Sequence, residues 1–374
     1  MSSYLIAAGG TGGHIYPGIA IADKIKAEEK DSIIVFAGTA NGMENKLVTA
    51  AGYEIVHIDA KGFSGKSPIR LAKALSAYFK GKRQCRRILT ERKIDLVIGT
   101  GGYVCGPVLA AAQACKVRNI IHEQNSFPGK ANRMFASRAD IVCISYPSSA
   151  AYFKKTAKLK VTGNPVRDVF KGLTKEHARS ALKIDPEERL LFATGGSLGS
   201  RTINNAVAGM AANYYTLGFR IILSSGSNDF KDLSVKKKLP DGIFEIHEYI
   251  PDQHVYMAAA DLVLCRAGAM TCSELAVLGK ACVMVPYPYA AGDHQTMNAA
   301  VFADSGAAVM ISDQDLSPEV LYEKVRYLIF DKKKLNSMEK AASELAYPDA
   351  EDMIYEAILS ITGKAKGSEC GQIK

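Results

Sequence analysis

Nowhere does this chain approach the roughly 20 consecutive apolar residues that cross a bilayer, so a membrane-spanning helix is not expected. No basic leader precedes the short apolar run in MSSYLIAAGGTGG, which reads as a first β-strand rather than a signal peptide, and the chain is expected to stay in the cytoplasm. No CxxC pair occurs among the eight cysteines (85, 105, 115, 143, 265, 272, 282, 370). Most lie inside apolar runs such as Ile141-Val142-Cys143-Ile144, which argues for reduced core thiols and against a zinc site or a disulfide frame. GxGxxG, the dinucleotide fingerprint, is missing, so nicotinamide and flavin enzymes are disfavoured.

What is present has globular proportions: 374 residues, 48% hydrophobic and 23% charged. That length suits two domains of roughly 150 to 200 residues each, and two domains imply one cleft. A net charge of +9 favours an anionic partner, whether nucleic acid, a phosphorylated substrate or a membrane surface.

Short β-branched runs alternate with longer amphipathic stretches, the pattern of βα units in parallel sheets, so the fold class is α/β. Strands are expected at 4–8, 32–37, 55–58, 96–99, 119–122, 141–144 and 159–161 in the first half. In the second half they are expected at 190–194, 220–224, 244–246, 262–265, 282–285 and 308–311. The turn Gly163-Asn164-Pro165 marks the seam, giving domains at 1–164 and 165–348, with 363–374 a frayed tail. Both halves open alike, a strand running into Gly-Gly-[Thr/Ser] and then a helix, which suggests two Rossmann-like domains.

Three glycine-rich loops follow strands: Gly9-Gly10-Thr11-Gly12-Gly13-His14, Gly99-Thr100-Gly101-Gly102-Tyr103 and Gly195-Gly196-Ser197-Leu198-Gly199. Glycine lets backbone approach a ligand, and the N–H groups and dipole of a helix start attract phosphate. One such loop could serve for bending alone. Three at the carboxyl ends of parallel strands point to phosphate binding. Behind the first loop a helix is expected over 17–27, with Pro17 in its first turn. The helix after Cys265-Arg266-Ala267-Gly268 is expected to begin near Thr271, with Glu274 in its first turn. There Glu274 could serve the helix dipole, form a capping box with Thr271, or accept two hydrogen bonds from a ribose diol. Gly292 to Asn298 brings a polar cluster into the next helix, suited to sugar hydroxyls or simply to a helix start.

Two decoys are set aside. Ala60 to Ser67 fits a permissive phosphate-loop pattern, but Pro68 falls where the nucleotide-binding helix should already be hydrogen-bonded. An ATPase of that kind would lose activity in Lys66→Ala. Asp313-Gln314-Asp315 is a DxD triplet, read as a solvated turn rather than a metal site, and no metal or cofactor is expected.

Together GGTGGHIYPGIAIA (9–22), GTGGYVCGP (99–107), HEQN (122–125), GNPVR (163–167), GGSLGSRTIN (195–204) and CRAGAMTCSELAVLGKACVMVPYP (265–288) resemble the MurG family of N-acetylglucosaminyltransferases. The resemblance runs over nearly the whole chain, in the family's order and approximate spacing. It implies a GT-B fold, two Rossmann-like parallel-sheet domains with a cleft between them, and a C-terminal helix over 349–362 that crosses back. It implies inverting transfer of N-acetylglucosamine from UDP-N-acetylglucosamine to the 4-hydroxyl of muramic acid on an undecaprenyl-diphosphate-linked pentapeptide. By position, Thr11, Gly12, Gly13, Asn125, Arg167, Ser197, Ile250, Ala269, Met270, Thr271, Cys272, Ser273, Glu274 and Gln295 would contact the donor. Glu274 would hold the ribose, Ile250 would lie at the uracil and Gln295 would meet the sugar. Gly101, Gly102 and Tyr103 would serve the acceptor. Family members often carry Gln where this chain has His294, a departure that bears on the sugar contacts.

Inverting transfer needs a base near the acceptor hydroxyl and charge stabilisation for departing UDP. His14 is the leading base candidate, its imidazole either taking a proton or holding an anion, and Glu123 is the other. Arg70, Lys73, Lys80, Lys82, Arg83, Arg86 and Arg87 lie between Ser67 and Ile88 with no acid, interleaved with Leu71, Leu75, Tyr78 and Phe79 at helical spacing. This basic amphipathic face suits an anionic lipid surface, so peripheral attachment to the cytoplasmic face of the membrane is expected and a nucleic-acid partner is not. A glycolipid synthase of the same fold would share the donor loops and differ in HEQN and GTGGY.

Overall fold

The computed structural model describes residues 1–62, 67–196, 198–213, 217–236 and 242–363. The chain divides into two compact units, Met1–Pro165 together with the chain from Asp349 onward, and Val166–Pro348. Ser197, the stretch 63–66 of the phosphate-loop decoy with its Lys66, Cys370 and the tail beyond Gly363 lie outside the described residues.

In the first unit, strands β1 (Ser3–Ala8), β2 (Ile33–Gly38), β3 (Glu54–His57), β4 (Leu96–Gly101), β5 (Arg118–Glu123), β6 (Ile141–Ile144) and β7 (Leu159–Val161) form one parallel sheet. Their order is β3-β2-β1-β4-β5-β6-β7. A parallel sheet covered on both faces needs apolar residues at successive positions, and the central strand β1 supplies them. Tyr4, Ile6 and Ala8 face a core completed by Ile15, Ile21 and Ile25 of the helix Gly12–Glu28 and by Ile354, Ile358 and Leu359 of the helix Ala350–Thr362. Leu5 and Ala7 face the opposite core, with Cys85 and Leu89 of the helix Pro68–Glu91 and Val108 and Leu109 of the helix Cys105–Cys115.

In the second unit, β8 (Leu190–Thr194), β9 (Arg220–Ser224), β10 (Phe244–His247), β11 (Leu262–Cys265), β12 (Cys282–Met284) and β13 (Ala308–Met310) pair in parallel in the order β10-β9-β8-β11-β12-β13. Leu191 and Ala193 join Ile203, Val207 and Met210 of the helix Arg201–Asn213 and Leu321 and Val325 of the helix Pro318–Ile329.

Each sheet reverses its strand order once, at β1/β4 and at β8/β11. Outside the carboxyl ends of such a pair, departing loops splay to opposite faces and leave a crevice, the place where open α/β sheets bind ligands. The Gly9 and Gly99 loops leave β1 and β4. The Gly195 and Arg266 loops leave β8 and β11.

Two expectations about helix starts are corrected. The first helix begins at Gly12, so Pro17 lies inside it rather than in its first turn. There its ring leaves the Gly13 carbonyl without the usual N–H partner. The helix Ala269–Val277 begins two residues earlier than expected, which moves Glu274 beyond the first turn and removes the capping box with Thr271. Among the described residues six cysteines are buried, Cys115 is partly buried, and none of the seven forms a disulfide. Burial pushes the Cys85, Cys105, Cys143 and Cys265 thiols up to about 12, which makes them inert packing groups at neutral pH.

Candidate active site

In the first unit, the two glycine-rich loops interlock. Gly102 adopts φ +81°, and a Cβ there would stand 1.9 Å from the Gly9 carbonyl oxygen, so only glycine lets the loops touch. The register of β1 against β4 slips between Ala7 and Ala8, and Thr100 fills the irregularity, its hydroxyl donating 2.8 Å to the His14 carbonyl. Thr11 occupies the N-cap position without using its side chain as a cap. The first-turn N–H groups of Gly12 and Gly13, which a helix start leaves without intrahelical acceptors, therefore suit an anion.

Glu44 braces this loop from behind. Its carboxylate accepts from the backbone N–H of Gly10 (3.3 Å) and Thr39 (3.0 Å), from the Thr39 hydroxyl (2.8 Å) and from the Tyr103 hydroxyl (3.2 Å). Burial works against its charge, but the hydrogen bonds led by Thr39 outweigh it and hold the carboxyl below its usual range. Tyr103 is thereby tied to the back of the Gly9 loop.

The structure separates the two base candidates. Glu123 is buried at the end of β5, and both its oxygens are occupied. One accepts from the Asn125 backbone (3.0 Å) and side chain (3.2 Å), the other from Gly129 N–H (2.9 Å) and Asn132 Nδ2 (2.8 Å). A carboxylate engaged by four donors organises a loop, and the sequence-based reading of Glu123 as a base is set aside on that ground. Asn125 spends its amide group on that carboxylate. His14 lies in the first turn of its helix, half-buried, with Nδ1 3.0 Å from Gln124 Oε1. Among the described residues its Nε2 has no hydrogen-bond partner.

In the second unit, the loop after β8 is as tightly built. Gly199 has φ +79°, and a Cβ on it would stand 1.9 Å from the Ser225 carbonyl oxygen. Arg266, directly after β11, ties the strand ends together. Its guanidinium donates to Ser200 Oγ beyond β8 (2.6 Å) and to the carbonyls of Val285 and Pro286 beyond β12 (3.0 Å each). It also ion-pairs with Asp313 beyond β13 (2.5 Å), which accepts from Thr202 as well (3.1 Å). With a side chain only 20% exposed, Asp313 is an internal counter-ion, which corrects its reading as a solvated turn. Asp315 stays exposed and bonds Ser312.

The helix Ala269–Val277 starts from Gly268 without a side-chain cap, so Ala269, Met270 and Thr271 offer first-turn N–H groups in the crevice between β8 and β11. Cys272 turns its thiol into the core, its N–H bonds the Gly268 carbonyl, and Ser273 back-bonds to Ala269. Glu274 is 17% exposed, and no donor among the described residues hydrogen-bonds its carboxylate. The nearest cation is Arg167, 3.8 Å away and lying over the Phe170 ring. Burial pushes Glu274 up to about 7, with Arg167 pulling it partly back. Ile250 is buried just beyond β10. Gln295 accepts from Tyr287 N–H (2.9 Å), which holds the Tyr-Pro loop against its helix, and His294 bonds back to Ala291 (2.8 Å).

Sequence reasoning assigned no role to Glu44, Gln124, Arg266 or Asp313. Arg266 carried one usable signal, a lone cation at the end of an apolar strand. Gln124 carried another, its place inside HEQN.

Comparison with known proteins agrees with this geometry. The glycosyltransferase family 28 N-terminal domain matches residues 4–144, and the family 28 C-terminal domain matches residues 190–354. A relative from Acetivibrio thermocellus is 41% identical over 368 residues, 97% of this chain and 99% of its own. One from Caldanaerobacter subterraneus subsp. tengcongensis is 39% identical over 363 residues, 96% of this chain and all of its own. Both are named UDP-N-acetylglucosamine--N-acetylmuramyl-(pentapeptide) pyrophosphoryl-undecaprenol N-acetylglucosamine transferase. The crystal structure of Acinetobacter baumannii MurG superposes with a TM-score of 0.81 at 29% identity, covering 96% of this chain and all of that one. With two parallel sheets, glycine-rich strand ends and full-length relatives in agreement, the chain belongs to glycosyltransferase family 28 and, within it, to the MurG family.

Proposed function

We propose that this enzyme transfers N-acetylglucosamine from UDP-N-acetylglucosamine to the 4-hydroxyl of N-acetylmuramoyl-pentapeptide carried on undecaprenyl diphosphate, inverting the anomeric centre. The observation that carries the donor reading is Glu274, a nearly buried carboxylate without a hydrogen-bond donor among the described residues, set in the second turn of a helix whose start offers free N–H groups. A ribose diol supplies the two missing donors, and the diphosphate sits at the helix starts after Gly268 and the Gly195 loop, with Ser197 among its contacts. Ile250 lies beside the uracil, Arg167 offsets negative charge, and Gln295 meets the sugar.

The first unit takes the acceptor. Its diphosphate rests on the Gly9 loop and on Gly101-Gly102-Tyr103. The acceptor oxygen forms the new bond to the anomeric carbon while the bond from that carbon to the β-phosphate oxygen of UDP breaks. His14 Nε2 takes the hydroxyl proton, and backbone donors hold the charge that builds on UDP, each worth about 3 kcal/mol in the transition state. Turnover with radiolabelled UDP-N-acetylglucosamine and a short-chain lipid-linked muramoyl pentapeptide tests this. Label should pass to the lipid, and His14→Ala should slow transfer by about a hundredfold or more. A folded protein that transfers no label sinks the proposal.

The helix Pro68–Glu91 supports peripheral attachment to an anionic membrane at the cytoplasmic face. It buries Ala74, Ala77, Gly81, Cys85 and Leu89, and presents Ile69 (69% exposed), Leu71, Leu75 and Phe79 (64%) outward. Lys80 is paired with Asp59 and Arg87 with Glu91, leaving Arg70, Lys73, Lys82, Arg83 and Arg86 for lipid headgroups at about 1 kcal/mol each. No helix among the described residues is long and apolar enough to cross a membrane. The protein should float with phosphatidylglycerol vesicles at low salt and separate from them in high salt. Equal flotation with neutral vesicles would contradict this.

A further inference from the structure

We infer that a buried hydrogen-bond chain, Gly163 carbonyl to His122 to Gln124 to His14, fixes the tautomer of His14, placing its proton on Nδ1 and leaving the Nε2 lone pair to act as the base. The inference rests on the proposed role of His14 and names the residues that prepare it.

One end of the hydrogen-bond chain is a group that can only accept. The Gly163 carbonyl lies 3.0 Å from His122 Nε2, so that nitrogen must carry a proton. His122 is fully buried, and burial pushes its pKa down, so the ring is neutral and its Nδ1 is an acceptor. The group 2.9 Å from that Nδ1 is therefore the Gln124 NH2, which also lies 3.1 Å from the His122 carbonyl. This orients the Gln124 amide, leaving its Oε1 toward His14 Nδ1 at 3.0 Å. A carbonyl oxygen accepts, so His14 Nδ1 donates, and in the neutral ring Nε2 is left unprotonated.

Each link is held from outside. Asn164 Nδ2 donates to the Gln124 carbonyl (3.1 Å), and its Oδ1 accepts from Ser145 (2.7 Å). Asn132 donates to the His122 carbonyl (3.3 Å). The His14 ring lies against the backbone of Gly101, where a Cβ would come within 2.6 Å of Nδ1. The charged groups around the chain are Glu123, engaged by four donors, and Glu44 behind Gly10. Neither hydrogen-bonds His14. The role of Gln124 and His122 resembles that of a carboxylate which orients a catalytic histidine, except that a neutral amide does the orienting and adds no charge.

Selective 15N-histidine labelling of the ligand-free, full-length protein reads the tautomer directly. His14 should show a protonated Nδ1 and a pyridine-type Nε2 at pH 8. Gln124→Leu should mix the tautomers and lower kcat about ten- to a hundredfold with the KM for UDP-N-acetylglucosamine unchanged. His122→Asn, which keeps an acceptor for the Gln124 NH2, should retain the tautomer and most of kcat, whereas His122→Leu should lose both. A wild-type His14 protonated on Nε2 overturns the inference whether or not the protein turns over. So does a Gln124→Leu enzyme with unchanged kcat. Wild-type protein with the Nδ1–H tautomer but no sugar transfer would instead overturn the proposed reaction and uphold the wiring.

Discussion

Glu274 meets two opposing demands. Water is largely excluded from its carboxylate, which favours the protonated form, while a ribose diol is best held by the ionised form, whose oxygens only accept. With the carboxyl pushed up to about 7, the two forms exchange across the physiological range. Between about 4.5 and 7 the native state keeps a proton that the unfolded chain has released, so this group's contribution to stability falls as pH rises through that window. In the proposed ribose role, donor binding runs the other way and strengthens as the carboxylate forms. The KM for UDP-N-acetylglucosamine should fall several-fold from pH 6 to pH 8, and Glu274→Gln should raise it and flatten its pH dependence. Arg167→Met should move the midpoint upward, because Arg167 is the charge holding that pKa down. A wild-type KM that ignores pH over this range would remove Glu274 from the ribose. The residue itself was legible, since an acid after a small-residue turn is a recognisable motif. Its protonation was not, because burial depends on which helix turn it occupies, and the helix start lay two residues earlier than the pattern indicated.

Elements were legible to different degrees for a physical reason. Every strand among the described residues was foreseen, most directly the inner ones, because a strand covered on both faces of a parallel sheet must be apolar at successive positions, whereas an edge strand such as Glu54–His57 is apolar only at its centre. Helix starts were less legible. Gly12-Gly13 and Ala269-Met270 look like turn on composition, yet they open helices, and the loops before them are held by Glu44, remote in sequence, in one unit and by Arg266 in the other. Glu44 leaves no local trace of this role, and Arg266 leaves only its place as a lone cation at the end of an apolar strand. Arg266 holds the ends of β8, β12 and β13 to its own, so its loss should disturb several loops together. Arg266→Met should raise the KM for UDP-N-acetylglucosamine about tenfold or more, since breaking a largely buried pair strands Asp313, a penalty of about 3–5 kcal/mol. Asp313→Asn should do comparable damage. In the double variant the two losses should fall well short of additive, because one network fails in both. Additive losses would mean that the two side chains act separately.

At the scale of the whole molecule, the first unit is not a contiguous piece of chain. Its sheet is complete by Val161, but one face of that sheet is closed by the helix Ala350–Thr362, which arrives only after the second unit has been made. Ile354, Tyr355, Ile358 and Leu359 are buried there beside Tyr4, Ile6 and Phe36, and the Tyr355 hydroxyl reaches Glu29 (3.2 Å), as does that of Tyr4 (2.8 Å). Burying four such side chains is worth about 1.5–3 kcal/mol each. Even discounted for a compact unfolded state, that sum is comparable to the entire stability of a domain, about 5–15 kcal/mol. Residues 1–165 alone should therefore lack a cooperative thermal transition and expose enough apolar surface to bind a hydrophobic dye. Joining residues 349–363 to that fragment through a long flexible linker should restore a cooperative melt. The paired substitution Ile354→Asp with Ile358→Asp in the full chain should unfold the first unit while leaving the melt of the second in place. A fragment 1–165 that melts cooperatively within a few degrees of the intact first unit would show that the closing helix covers a sheet already stable without it.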